Sequence, residues 1–198
     1  MSEPDALLHD FQSITEPLRL EELFTQPQPT ELEIGCGDGG FLLEYAQRHP
    51  ERNFLGVERL LGRVRKLSKR GQHAGLNNLR LLRIEARYVL DYLLPERAFS
   101  AVHIYFPDPW PKDKHARHRL IQPDFLPRIR RILAPDGVLY LRTDALLYFE
   151  QMQNTFRDAE GFAEESTPAA LSEITTEFER QWLAEGKRTH YAAYRLNS

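Results

Sequence analysis

The chain has 198 residues, of which 41% are hydrophobic and 28% are charged, with a formal net charge of −3. This length fits one domain with a sizeable core, and the composition is ordinary for a globular protein. No apolar run approaches the ~20 residues that cross a bilayer, which excludes a transmembrane helix. A single cysteine, Cys36, excludes an internal disulfide and a zinc site built from several cysteines.

The first segment, residues 1–29, is predicted to be helical and partly ordered, and it ends in the turn-like sequence QPQP. Its acidic start lacks the basic region and apolar core of a secretory signal, so we expect a cytoplasmic protein. Residues 30–198 are predicted to form a single domain. The sequence leaves both a monomer and a homodimer open.

From residue 31 onward, short apolar runs alternate with helix-like segments. The predicted strands cover residues 31–34, 53–57, 79–84, 101–105 and 138–141. The predicted helices cover residues 40–48, 59–71, 86–94, 125–133 and 145–158. Alternation at this spacing predicts an open α/β sheet, mostly parallel, with helices on both faces and a ligand at the carboxyl ends of the strands.

The last forty residues break this alternation. Residues 162–163 and 190–196 have the pattern of strands, and the helix-like segment 176–183 lies between them. A closing pair of this kind predicts an antiparallel strand at the C-terminal edge of the sheet.

A glycine-rich turn, EIGCGDGG, follows the first predicted strand and begins at Glu33. Gly35, Gly37 and Gly40 fit the G-x-G-x-x-G pattern, and Glu58 ends the second strand, where an acid can bind ribose. This pattern alone does not separate a dinucleotide from another adenosine cofactor. Glu33 repels phosphate and suits a positively charged ligand, which favours S-adenosylmethionine. The competing explanation for Glu33 is an exposed acid at a strand end.

The sequence FPDPWPK, residues 106–112, follows the fourth predicted strand. It places Asp108 between two prolines, followed by Trp110 and Lys112. Because proline disfavours helical conformations in the residue before it, Phe106 and Asp108 are expected to be extended. The loop is therefore a rigid candidate for ligand binding, although an ordinary strand-to-helix connection is the simpler alternative.

Basic residues are concentrated in two segments. Residues 59–70 contain six basic residues and no acid, and residues 103–131 contain seven basic residues against three acids. Two such segments predict a phosphate-binding face if the fold brings them together, although solvated helix faces would give the same pattern. The expected phosphate contacts are Arg63, Lys66, Lys69, Lys114, Arg117 and Arg119.

These motifs resemble those of the bacterial tRNA (guanine-N7)-methyltransferase family, whose members methylate guanine 46 of the variable loop. The resemblance is carried by EIGCG at 33–37, NFLGVE at 53–58, FPDPWPK at 106–112, TD at 143–144 and TEFE at 176–179. It implies a Rossmann-like class I methyltransferase sheet, S-adenosylmethionine as the methyl donor, tRNA as the partner and no metal.

The resemblance also implies the roles of individual residues. The methyl donor is expected at Glu33, Gly35, Gly37, Glu58, Glu85, Ala86 and Asp108. The tRNA guanosine is expected at Lys112, Asp144, Thr176, Glu177, Phe178 and Glu179. Glu85 is one methylene longer than the family's usual Asp or Asn, which leaves open whether its side chain or only its backbone contacts the cofactor. The short, acidic N-terminal segment departs from the family's longer basic extension and predicts a smaller tRNA footprint.

The proposed chemistry needs no general base, because guanine N7 has a lone pair and no proton. We expect Asp108 and Asp144, at the ends of adjacent strands, to hold the N–H edge of the base and offset its charge, with Lys112 on O6 or a phosphate. Asp144 could instead cap the following helix. Three other functions stay open: methylation of an exocyclic amine on a small molecule or protein, RNA binding without catalysis, and nicotinamide-dependent oxidoreduction.

Overall fold

The computed structural model describes residues 6–197, apart from the side chains of Asp113, Glu177, Phe178 and Gln181. Seven strands in this part of the chain form one sheet. They are β1 (Thr30–Ile34), β2 (Asn53–Glu58), β3 (Leu79–Arg83), β4 (Phe99–Tyr105), β5 (Leu133–Thr143), β6 (Phe162–Glu165) and β7 (His190–Leu196). Their order across the sheet is β3-β2-β1-β4-β5-β7-β6.

The first five strands are parallel to one another, and β7 is antiparallel to both of its neighbours, β5 and β6. The predicted sheet, mostly parallel with antiparallel pairing at its C-terminal edge, is therefore confirmed. β6 is the outermost strand on that side. β5 begins five residues earlier than predicted, because Leu133 pairs with Phe99 before the register shifts and Val138 pairs with Ala101.

Helices connect the strands. They are α1 (Leu20–Leu23), α2 (Leu42–Arg48), α3 (Leu61–His73), α4 (Ala86–Tyr88), α5 (Leu126–Ile132), α6 (Leu146–Arg157), α7 (Ala169–Glu173) and α8 (Glu177–Ala184). A π-helical turn, Val89–Leu93, continues α4, and 3₁₀ turns cover Asp113–His118 and Pro123–Phe125. Within the described residues, no helix has both the length and the apolar character needed to cross a bilayer.

The sheet has an apolar core on each face. Successive side chains of a strand point to opposite faces, so Leu32 and Ile34 of β1 pack in the core that also contains residues of α5 and α6. Residues of α2, α3 and α7 form the core on the other face. Glu31 and Glu33 of β1 point towards this second face and are also buried.

Apart from a short helix, the described part of the N-terminal segment consists of turns, bends and residues without regular secondary structure, so the prediction of a helical segment there was wrong. α1 is its one helix within the described residues. Leu8 forms a parallel bridge with Leu81 of β3, the N–H of His9 donates to the Leu81 carbonyl at 2.9 Å, and the N–H of Leu81 donates to the Leu7 carbonyl at 2.9 Å. At residues 7–9, pairing with the edge of β3 thus takes the place of the predicted helix. The domain boundary at residue 30 stays a prediction.

α3 continues beyond Gly71, where the sequence predicted its end. The helix ends at His73, and Gly75 follows its C-cap with a φ of 68°. The N–H of Leu76 donates to the Gly71 carbonyl and the N–H of Gly75 to the Gln72 carbonyl, both at 3.0 Å, which is a Schellman motif. A Cβ at Gly71 would lie 2.6 Å from Cδ1 of Leu7. Glycine at this position therefore lets the N-terminal segment pack closely on α3.

The parallel strands bring five loops to one edge of the sheet. β1 to β5 end at Ile34, Glu58, Arg83, Tyr105 and Thr143. In open α/β sheets, ligands bind in the crevice beyond these carboxyl ends. The predicted glycine turn, the FPDPWPK loop and Asp144 all follow strands that end here.

Candidate active site

The glycine turn connects β1 to α2. Gly35 and Gly37 have φ values of 78° and 57°, in the left-handed region that favours glycine. The N–H groups of Gly35 and Cys36 donate to the Val57 carbonyl at 2.8 and 3.0 Å. These bonds fix the turn against the end of β2, where Glu58 follows.

Glu58 directs its carboxylate back to this turn. Oε2 accepts a hydrogen bond from the N–H of Gly37 at 3.2 Å, and Oε1 accepts one from the N–H of Leu60 at 2.9 Å. Nη1 of Arg63 lies 4.0 Å from Oε2. A carboxylate has about four lone-pair sites, so Glu58 keeps acceptor capacity for ligand hydroxyl groups. Its backbone partners hold it in place to receive them.

A cleft of about 740 Å³ opens at the carboxyl ends of β1 to β4. This volume is typical of sites for small organic ligands and cofactors. Five of the predicted cofactor-binding residues line the cleft: Gly35, Glu58, Glu85, Ala86 and Asp108. The sequence therefore predicted residues that the fold does bring together, although their contacts with a ligand stay a prediction.

Glu85 lies at the end of the cleft near β3 and caps α4. Its Oε2 accepts a hydrogen bond from the N–H of Tyr88 at 2.9 Å, which satisfies one of the free amides at the helix start. Because the side chain has this partner within the protein, the backbone at Glu85 and Ala86 is the better candidate for contact with a ligand.

The loop after β4 places Asp108 on the wall of the cleft. Phe106 and Trp110, on either side of Asp108, have φ values of 51° and 41°, a conformation that is rare for aromatic residues. The expectation that Phe106 is extended was therefore wrong. Its N–H donates to the Arg142 carbonyl at 2.8 Å, which prolongs the pairing of β4 with β5 before the chain turns. Backbone strain of this kind concentrates at functional sites.

Arg119 holds this loop and is itself buried, with 7% of its surface exposed. Its Nε donates to the Pro109 carbonyl at 2.8 Å, its Nη2 to the Trp110 carbonyl at 3.3 Å, and its Nη1 to the side-chain oxygen of Gln151. The guanidinium also lies 5.1 Å from the centre of the Tyr148 ring. The prediction of a phosphate contact at Arg119 is therefore corrected: its donors bind the protein and position the loop.

The other predicted phosphate contacts are accessible. Arg63 and Arg117 line the cleft, and Lys66 forms an ion pair with Asp38, with Nζ 2.6 Å from Oδ2. The exposed residues of this set are Arg63, Lys66, Lys69, Lys114 and Arg117. Arg63, Lys66 and Lys69 lie on α3, and the contacts of all five residues with phosphate stay predictions.

Glu33 is buried beside the glycine turn, on the face of β1 opposite to Ile34. It is 4% exposed, and its Oε2 has no hydrogen-bond partner among the described residues. Burial raises the pKa of Glu33 to about 8; the positive charge of Arg142 opposes this rise and the negative charge of Glu58 adds to it. The alternative of an exposed strand-end acid is excluded. A cation placed beside this carboxylate would offset the cost of burying it.

Two of the predicted substrate residues, Thr176 and Glu179, form hydrogen bonds within the protein. Glu179 is fully buried: Oε1 accepts a hydrogen bond from the Tyr191 hydroxyl at 2.7 Å, and Oε2 lies 3.4 Å from Nη1 of Arg142. Oγ1 of Thr176 accepts a hydrogen bond from the N–H of Glu179 at 3.0 Å and so caps α8. Glu179 is thus engaged within the protein. Of the predicted substrate residues, Glu177 and Phe178 have side chains that lie outside the described part of the structure.

Asp144 and Lys112 follow β5 and the proline-rich loop, respectively. Asp144 is partly buried and Lys112 is exposed. α6 begins without a side-chain cap, and the N–H of Ala145 donates to Oγ1 of Thr143 at 3.1 Å. The alternative role of Asp144 as a helix cap is therefore not observed. Its role at the substrate stays a prediction.

The family model Methyltransf_4, described as "Putative methyltransferase", matches residues 27–192. The chain belongs to this methyltransferase family. The match extends from just before β1 into β7, and so it includes the glycine turn, the cleft and the C-terminal helices of the methyltransferase.

Curated relatives of this methyltransferase carry the name tRNA (guanine-N(7)-)-methyltransferase. The relative from Thermotoga maritima is 35% identical over 174 residues, which are 87% of this chain and 56% of the relative. The relative from Halorhodospira halophila is 38% identical over 182 residues, 89% of this chain and 79% of the relative. The methyltransferase therefore spans little more than half of the Thermotoga maritima relative's length and about four fifths of the other.

Solved structures of methyltransferases have the same fold. The 16S rRNA methyltransferase KamB has a TM-score of 0.64 at 17% identity and covers 90% of this chain and 93% of its own. The aminoglycoside resistance methyltransferase NpmB1 has a TM-score of 0.60 at 18% identity, with coverage of 89% and 91%. These identities support the fold alone, and they confirm the predicted class I methyltransferase sheet.

Arg142 is the residue of this methyltransferase site that the sequence reasoning missed. It lies in β5 between Leu141 and Thr143, and its guanidinium is fully buried. The sequence feature that could have identified it is a single arginine after the apolar run VLYL in the segment VLYLRT, residues 138–143. A charge in a strand that is buried on both faces requires a specific partner.

Proposed function

We propose that this methyltransferase transfers the methyl group of S-adenosylmethionine to N7 of guanine 46 in the variable loop of tRNA, giving 7-methylguanosine. The observation that carries the proposal is the buried carboxylate of Glu33 beside the glycine turn. One of its oxygens has no hydrogen-bond partner among the described residues. Glu58 and Asp108 on the nearby cleft supply two further acids. The relatives named tRNA (guanine-N(7)-)-methyltransferase support the choice of acceptor.

The residues around the turn fit the methyl donor. Glu58 has free acceptor capacity for ribose hydroxyls, and Ile84 and Ala86 offer an apolar surface for a purine on the same cleft wall. Glu33 suits the cationic methionine portion, which would have to extend from the cleft across the end of β1. A dinucleotide would instead bring pyrophosphate close to Glu33 and Glu58, where two carboxylates repel it. When bound, S-adenosylmethionine supplies an electrophilic methyl group on a positively charged sulfur.

The transfer is an in-line displacement. The lone pair of guanine N7 forms a bond to the methyl carbon while the pair of the carbon–sulfur bond moves to sulfur, which becomes a neutral thioether. No proton leaves N7, so the protein needs no general base. Its contribution is to position the reactants and to stabilise positive charge that moves from sulfur to the purine. Asp108 on the cleft wall and Asp144 after β5 are the carboxylates proposed for this role.

The charged rim of the cleft supports a polyanionic acceptor. Arg63 and Arg117 line the cleft, and Lys69 and Lys114 are exposed. Basic side chains that contact phosphates give affinity and orientation without reading sequence. A methyltransferase for a small amine has no need of such a rim. These residues therefore favour tRNA over the alternative, an exocyclic amine of a small molecule or protein.

The test is methylation of an unmodified tRNA transcript with methyl-labelled S-adenosylmethionine, followed by digestion and identification of the labelled nucleoside. We expect label in 7-methylguanosine. A matched transcript with adenine at position 46 should remain unlabelled. Label on an exocyclic amine, or transfer to small amines with none to tRNA, would replace this proposal by the alternative.

A further inference from the structure

Arg142 is a buried cation with an unusual set of neighbours. Its guanidinium is fully buried and lies 4.1 Å from the centre of the Tyr105 ring, 5.3 Å from that of Phe41 and 5.5 Å from that of Tyr191. Burial of a guanidinium is costly unless its N–H groups find acceptors. The groups that accept hydrogen bonds from the Arg142 guanidinium therefore show which part of the protein it positions.

All acceptors of Arg142 that the structure describes belong to the C-terminal segment, which we define as residues 169–184 (α7 and α8). Nη1 donates to the Ile174 carbonyl at 2.9 Å, Nη2 donates to the Leu171 carbonyl, and Nη1 lies 3.4 Å from Oε2 of Glu179. The last carbonyls of a helix lack partners within it, so Arg142 caps the end of α7 and pairs with an acid in the first turn of α8.

The charge of Arg142 also acts on the cofactor side of the site. Glu33 points to the same face of the sheet, and the titratable groups coupled to it are Arg142 on β5, Glu58 on β2, Tyr105 on β4 and Cys36 in the glycine turn. Arg142 is the one of these that favours the ionised carboxylate. Nε of Arg142 and Oε2 of Glu33 both lack hydrogen-bond partners among the described residues.

We propose that Arg142 is a positioning residue that joins the two halves of the site. Its guanidinium docks the C-terminal segment, which carries Thr176 and Glu179, and it shares a face of the sheet with Glu33, the acid expected to meet the methyl donor. This inference rests on the proposed function and extends it. One side chain thereby sets the geometry expected to meet the guanosine and the electrostatics expected to meet the methyl donor.

Two substitutions separate these contributions. Arg142→Met removes both the charge and the forked donors, whereas Arg142→Lys keeps the charge and loses the planar fork that reaches two carbonyls and a carboxylate. The readouts are KM for tRNA and the pH dependence of S-adenosylmethionine binding between pH 6.0 and 7.5, where the ammonium group of the ligand stays mostly protonated. Arg131→Met is the matched control, because Nη1 and Nη2 of Arg131 bind the Leu94 and Leu90 carbonyls on the other face of the sheet.

For Arg142→Met we expect KM for tRNA to rise about tenfold and donor affinity at pH 7 to fall about tenfold, as for an increase of one unit in the pKa of Glu33. Arg142→Lys should share the defect in KM but keep the pH profile of the wild type. Wild-type KM and pH profile in Arg142→Met would overturn the inference. The inference would also be overturned if Arg142→Met, Arg142→Lys and the control Arg131→Met all changed KM for tRNA and the pH profile of donor binding to the same extent.

Tyr191→Phe tests the same docking if Arg142 variants do not fold. It removes the hydroxyl that donates to Glu179 and leaves Arg142 in place. We expect KM for tRNA to rise about threefold with an unchanged pH profile of donor binding, and an unchanged KM would count against the inference. If the wild type binds the donor but does not methylate tRNA, the proposed function fails. The pH profiles of Arg142→Met and Arg142→Lys would still decide whether Arg142 controls Glu33.

Discussion

Replacing Glu33 by glutamine should make the free protein more stable at alkaline pH while weakening its binding of S-adenosylmethionine. Glutamine has nearly the same shape as glutamate and carries no charge. In the free protein, Glu33 is buried and its Oε2 has no described hydrogen-bond partner. The ionised carboxylate is therefore unfavourable for the fold and is available to a ligand cation.

The magnitude follows from the pKa of Glu33, which burial raises from an ordinary value of 4.5 to about 8. Between these values the folded protein retains a proton that the unfolded chain releases, so stability falls as pH rises through this window. The slope is at most about 1.4 kcal/mol per pH unit, and the full rise corresponds to about 5 kcal/mol as an upper limit. Glu33→Gln lacks this pH-dependent loss, so its free energy of unfolding should increase relative to that of the wild type as pH rises.

Urea denaturation of both proteins at pH 5, 6, 7 and 8 measures this difference directly. Without ligand, the free energy of unfolding of Glu33→Gln minus that of the wild type should grow steadily over this range. With saturating S-adenosylmethionine, the wild type should recover relative to the variant, because the bound cation becomes the partner of the carboxylate.

A difference in unfolding free energy that stays constant from pH 5 to pH 8 would refute this reasoning. It would mean that Glu33 is already ionised throughout, through water or a partner. Equal affinity of both proteins for S-adenosylmethionine would refute the role of Glu33 as a receptor for positive charge.

Further changes test other parts of the site. Asp108→Asn should lower kcat by roughly 10²-fold or more if this carboxylate stabilises charge in the transition state; a wild-type kcat would remove it from that role. Arg119→Lys should lower kcat/KM about tenfold, because one ammonium cannot replace the fork that holds the proline-rich loop. Gly71→Val should cost about 1–3 kcal/mol by overpacking against the N-terminal segment, with faster amide exchange there. Raising salt from 50 to 200 mM should weaken tRNA binding by about 10²-fold for about four phosphate contacts, and the double variant Lys69→Ala, Lys114→Ala should flatten this dependence.

The fold was predictable because most of the parallel strands are short segments rich in apolar residues, separated by helix-like segments, and this alternation is typical of a parallel sheet. The cleft was predictable for a similar reason: Glu58, Asp108 and the glycine turn follow strands that end at one edge of the sheet. These residues are close in space as soon as the strands are parallel, whatever the details of the helices.

The errors arise where long-range packing decides. The charge of Arg119 suggested a phosphate contact, but the sequence does not show that the Pro109 and Trp110 carbonyls take up its donors. Phe106 was expected to be extended because a proline follows it, but it has a left-handed φ at the point where its N–H pairs with the Arg142 carbonyl. The N-terminal segment has helix-like spacing, yet residues 7–9 pair with Leu81 at the free edge of β3 instead of forming a helix.

That edge pairing affects how the protein assembles. Strand edges with free amides recruit other chains and promote aggregation, and residues 7–9 protect the outer side of β3 by bonding to Leu81. More than seventy residues separate these partners along the chain, so the segment is synthesised well before its docking strand. Residues 7–9 can protect this edge only after β3 has formed. Without residues 7–9, the outer edge of β3 would stay unpaired in the folded protein and could pair with strands of other chains.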